Sequence, residues 1–208
     1  MSLFFFAIAA AALDTDSNQP LDLAAVHVDV DPELNEDMEQ TIATVITTAG
    51  DIVNELKKSS PDVVALMRQL KASDANKYKR FVIESQLRHE FEAALKQNVP
   101  EGLVTPLASL LARSTVSDIL FLVAVLGDSI VIYFLSGTVE ASHELDQMIQ
   151  SGFVRDVFAQ IIEFYVETPV TVHVYITTDQ VDPRGTDLQM FRTVSRLLKV
   201  IGTWLGSL

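Results

Sequence analysis

An α+β fold is what this sequence predicts: a helical N-terminal half packed on an antiparallel sheet containing a β-hairpin–helix–strand unit, closed by a C-terminal amphipathic helix. Three observations lead there. Apolar residues recur at helical steps from about residue 31 to 113, broken by cap-and-proline signals. Two β-branched and aromatic runs then meet across Gly127-Asp128. Finally, residues 187–208 segregate into one apolar and one basic face. The expected division is an apolar segment and linker over residues 1–20 and a single α+β domain over 21–208, its hairpin, helix and strand part starting near 116.

Residues 3–13 (LFFFAIAAAAL) read as a buried strand. Two other readings stay open, the apolar core of a signal peptide (without the usual basic start) and an apolar arm for a partner or a membrane. Residues 14–20 (DTDSNQP) form a polar linker. Residues 25–30 alternate Val26, Val28 and Val30 with His27 and Asp29, the period of a half-buried strand. Asp31 offers an N-cap with Pro32 at the first helical position, where a missing N–H is harmless. The helix that follows has a seam of Met38, Ile42, Val45, Ala49, Ile52 and Leu56.

Ser60-Pro61 starts a second helix to about Leu70, by the same logic. Ser73 is expected to cap a third, carrying Tyr78, Phe81, Val82, Phe91 and Leu95 to about Gln97, where residues 99–102 (VPEG) stop it. Thr105-Pro106 is expected to begin a short fourth, ending near Arg113. Ile119–Leu126 and 129–135 are apolar on both faces and joined by two residues, hence a hairpin in a central, covered position. Thr138 opens a helix to about Ile149, closed by Gly152 in a left-handed cap, and a second helical piece spans 153–165. Residues 170–177 (VTVHVYIT) make a strand with one wet face. A turn at 182–185 (DPRG) precedes the final helix, capped by Thr186.

Charge narrows the partners. The net charge is −13, and the first 56 residues hold 11 acids and no Lys or Arg. Such a chain has no driving charge for phosphate, so nucleic acid is not an expected partner. Absence of cysteine removes disulfides, thiolate catalysis and zinc–thiolate sites, and suits a cytoplasmic setting, with a secreted or membrane-associated protein as the alternative. The mean hydropathy of +0.27 points to an oligomer, a large interface or lipid contact.

No catalytic or metal-binding constellation is found, and no cofactor is implied. His27, His89, His143 and His173 share no metal-ligand spacing. The carboxylates Asp29, Asp31, Glu33 and Asp37 resemble a calcium loop only until Leu34 and Gln40, which stand where such a loop needs a glycine and a glutamate. They read as a solvated, acidic helix start, favoured by the helix dipole.

The terminal helix is the expected contact. On a helical wheel Phe191, Val194, Leu198, Ile201, Trp204 and Leu205 fall on the apolar face, while Arg192, Arg196 and Lys199 fall opposite. Three readings fit: packing over the sheet, a protein partner, or a membrane surface.

Within residues 119–178, the run GDSIVIYFLSGTVEASHELDQMIQSGFVRDVFAQI followed by VTVHVYIT resembles the TRADD N-terminal-domain family. The shared features are Ser129, the strand over 130–135, Leu145, Ser151-Gly152 and the strand over 170–177. The resemblance implies an α/β sandwich and a non-enzymatic adaptor in immune or cell-death signalling. The expected function is therefore an interaction module that docks a protein partner or self-associates; a membrane-associating protein is the alternative.

Overall fold

The elements follow one another as β1 (Phe6–Ala7), β2 (Asp22–Asp31), α1 (Glu36–Ser59), α2 (Pro61–Ala72), α3 (Lys77–Leu95), α4 (Glu101–Val116), β3 (Ile119–Leu126), β4 (Ser129–Ser136), α5 (Val139–Gln150), α6 (Phe153–Val166) and β5 (Thr171–Thr177). The computed structural model describes residues 6–7, 22–31, 33–72, 76–126, 129–136, 138–166 and 170–177. The chain divides into two units, Met1–Ile176 and Thr177–Leu208. The predicted linker 14–20, the turn at 182–185 and the terminal helix 187–208 lie outside the described residues.

The fold is α+β as predicted. The sheet order is β1-β3-β4-β2-β5, with β4 in the middle. Strands β3 and β4 pair antiparallel down to Leu126 opposite Ser129, the closure a two-residue connection requires. Strand β2 pairs antiparallel along the other edge of β4. Within residues 3–13, the described pair Phe6–Ala7 is extended and pairs with Val123 and Leu122 of β3. Register places Val26 and Val123 on either side of Ile132, and Ala24 and Phe121 on either side of Phe134. That face enters the main core, where the Phe121 and Phe134 rings lie 6.1 Å apart. Val131, of opposite parity, is buried too, so β4 is covered on both faces there. On β5, Val172 is buried while Thr171 and His173 are exposed, the wet face read from the alternation.

Helix α4 is the hub. Ten of its sixteen residues are buried, and Glu101, Thr105, Ser109 and Arg113, at steps of four, make the narrow polar stripe that is left. Helices α1, α3 and α6 and strand β3 pack against it. It starts earlier than predicted, at Glu101 with Pro100 before it, and Pro106 sits inside. The proline removes one donor and leaves the carbonyl of exposed Gly102 without its intrahelical partner, a mild loss at a solvent-facing turn. Gly102 also lets α6 come close, since a Cβ there would lie 2.8 Å from the Phe164 ring.

Two helix starts and one helix end agree with the expectation, and two further starts, besides that of α4, do not. Ser60 accepts from the Val63 amide at 3.4 Å before α2, Thr138 accepts from Ala141 at 3.1 Å before α5, and Gly152, at φ 78°, separates α5 from α6. Asp31, however, belongs to strand β2, and Asn35 caps α1 by accepting from the Met38 amide at 2.9 Å. Strand β2 runs on through Asp31, beyond its pairing with β4, which ends at Val28 opposite Ile130, so the helix waits for the next capping side chain. Ser73 lies outside the described residues, and Asn76 caps α3 through Lys79 at 3.2 Å. Asn35→Ala is accordingly expected to lower stability by about 1 kcal/mol in urea unfolding. Asp31→Ala should change it by about 0.5 kcal/mol or less; the reverse ranking would return the cap to Asp31.

The buried face of α1 is centred on Ile42, Ala43, Ile46, Ala49 and Val53, with Val45, Ile52 and Leu56 of the predicted seam half-buried beside it.

Candidate functional site

The residues expected to make contact, Phe191, Arg192, Val194, Arg196, Leu198, Lys199, Ile201, Trp204 and Leu205, all lie outside the described residues. The described part presents a different surface, at the start of α3.

Helix α3 is anchored by Ile83, Leu87, Phe91 and Leu95, one side chain per turn, all buried. A stripe that narrow leaves the rest of the helix free. Phe91 and Leu95 are core residues as expected, but Tyr78, Phe81 and Val82, read as part of the same helix's apolar content, are 76%, 67% and 37% exposed. Two exposed aromatics one turn apart are uncommon on a subunit that has nothing to meet.

Phe81 borders a groove of about 460 Å³ between α3 and α5. Lys77, Arg80 and Glu84 stand on its α3 wall, Glu140, His143 and Glu144 on its α5 wall, and the end of α4 forms its floor. Two arginines hold the walls in place. Arg113 on α4 donates to Glu84 at 3.0 Å and to Glu144 at 3.2 Å, tying α3 and α5 to the hub helix. Arg80 donates from Nη2 to the Val116 carbonyl at 2.6 Å, satisfying an acceptor that the end of α4 would leave open.

The electrostatics of this corner run against the rest of the molecule. The first turns of α1, α2, α4, α5 and α6 all contain an acid, as the helix dipole favours. The first turn of α3 contains none and carries Lys77, Lys79 and Arg80 instead. Arg80 is used by α4, whereas Lys77 and Lys79 make no ion pair among the described residues.

The histidines are not brought together. His27 is half-buried on β2, His89 is exposed on α3, His173 is exposed on β5, and His143 alone lines the groove. Among the described residues His143 makes no hydrogen bond to Glu140 or Glu144, and Glu144 accepts from Arg113 instead. Asp31, Glu33 and Asp37 are exposed, and no group of three or more His, Asp or Glu among the described residues is placed to hold a metal ion. No described helix is long and apolar enough to cross a membrane.

Comparison with family models, with characterised proteins and with solved structures finds no match for this chain.

Proposed function

We propose that this protein is a non-enzymatic interaction module, adaptor-like, that docks a protein partner in the groove between α3 and α5. The exposure of Phe81 at its rim, with exposed Tyr78 one turn before it on α3, is the observation that carries this reading. Aromatic side chains bury much area at small entropic loss, so a pair on a rigid helix is suited to anchoring a partner. Arg113 and Arg80 pre-organise the walls, which lowers the ordering penalty on binding. The immune or cell-death setting implied by the TRADD resemblance, a cytoplasmic location in keeping with a cysteine-free chain, and a second contact through residues 187–208 belong to the same proposal.

The test replaces Tyr78 and Phe81 together by serine and places a photo-crosslinking residue at position 81 in cells. The double variant should keep its stability to within about 0.5 kcal/mol, because neither ring is buried. Its partner binding should weaken by tenfold or more, on the order of 1.4 kcal/mol, and crosslinks from position 81 should appear in the parent. Unchanged partner binding in the serine variant would sink the reading.

A further inference from the structure

Two clusters of like charge stand out on the described surface. One is the start of α3, with Lys77 and Lys79 flanking Tyr78. The other is the start of α1, where Asp31, Glu33, Glu36 and Asp37 are all exposed around half-buried Leu34 and Met38. None of these six charged groups forms an ion pair among the described residues.

The poles are at opposite ends of the helical layer. Arg80 bonds Val116, so the first turn of α3 lies beside the end of α4. Lys57, in the last turn of α1, feels the charge of Asp118 two residues further on, so the end of α1 lies at that same corner. Glu36 begins α1 and Lys57 is 21 residues along it, which sets the acidic start about 31 Å from the basic corner. At that distance, about three Debye lengths at ordinary ionic strength, the two poles cannot neutralise each other within one molecule.

We propose that the aromatic, basic rim at the start of α3 docks the acidic start of α1 in a second copy of this chain, head to tail. The proposal rests on the docking reading above and names the partner. Lys77 and Lys79 meet the four carboxylates, while Phe81 and Tyr78 cover Leu34 and Met38, a ring–thioether contact among them. The net charge of −13 repels two copies at random orientation, so approach with the basic turn of one leading toward the acidic turn of the other is favoured. Because the two surfaces differ, the contact is heterologous and leaves a free surface of each kind at the ends, so assembly extends with concentration.

The experiment is light scattering coupled to size exclusion, with sedimentation at rising concentration up to about 0.5 mM, where a small, transient contact becomes populated. The wild-type chain should gain mass with concentration at about 0.15 M salt and lose that gain at about 1 M. Lys77→Glu with Lys79→Glu removes one surface, and Glu33→Lys with Glu36→Lys removes the other. Each variant alone should associate at least tenfold more weakly, with circular dichroism melts confirming that both are folded. Mixed, they retain one intact surface each and should form a one-to-one dimer that grows no further. A wild-type chain that stays monomeric throughout, variants that assemble as the parent does, or binding of phosphatidylserine vesicles through Tyr78 and Phe81 by a monomer would each overturn the proposal. If crosslinks from position 81 reach other proteins while the chain stays monomeric, the self-association fails and the docking reading stands. If position 81 crosslinks to nothing, both fail.

Discussion

Replacing Phe91 by alanine is expected to lower the unfolding free energy by about 3–5 kcal/mol, measured by urea or guanidinium titration. Phe91 is fully buried on α3 and belongs to the core that joins the helices to the sheet. It is one of the four buried side chains of α3, so its neighbours Leu87 and Leu95, one turn away on either side, cannot close the space without shifting the helix. The loss should extend to the groove, because the α3 wall carries Lys77, Arg80 and Glu84. Phe81→Ala, on the same helix but 67% exposed, supplies the internal contrast, with an expected change of about 0.5 kcal/mol or less. Similar values for the two phenylalanines would mean that α3 is seated on a different face.

Lys57→Met is expected to stabilise the protein at neutral pH. Burial at the end of α1 pushes the Lys57 ammonium down to about 8, with the nearby carboxylate of Asp118 opposing the shift. Below pH 8 the amine is protonated in both the folded and unfolded chain, so the burden of a buried charge is present in full. Between about 8 and 10.5 the folded protein releases the proton while the unfolded chain keeps it, and stability rises with pH. The methionine variant has no such rise. Its advantage at pH 7 should be on the order of 1–3 kcal/mol, less than the shift alone suggests because Asp118 loses its counter-charge. Burial also raises the Tyr165 hydroxyl, which works in the opposite direction above pH 10, so the comparison belongs between pH 7 and 9.5. Parallel stability curves for the two proteins across that window would remove Lys57 as the cause.

The groove differs from the core in how far the residues themselves announced it. On a wheel centred on the buried Ile83–Leu95 stripe, Tyr78 and Val82 fall about 160° away and Phe81 about 100° away. The signal for an exposed aromatic cluster was therefore present in the spacing. It is obscured because α3 mixes apolar and charged residues on every face, so counting its hydrophobic side chains does not tell anchors from rim. The ties made by Arg113 and Arg80 join residues 29 to 36 positions apart. No local pattern encodes which carboxylate or carbonyl a distant guanidinium will meet.

Local chemistry determined a good deal of this protein unaided. The Gly127-Asp128 connection specified the hairpin, Ser60 and Thr138 specified two helix starts, and alternation specified β2 and the wet face of β5, because caps, turns and periodicity depend on neighbours a few residues apart. Tertiary structure decided the rest. It extended β2 through Asp31 and moved the cap to Asn35, since a residue held in a strand cannot also cap a helix that starts at Glu36. It also buried ten of the sixteen residues of α4 and turned Tyr78 and Phe81 outward, because packing against distant elements, and not intrinsic preference, chooses the face each helix buries.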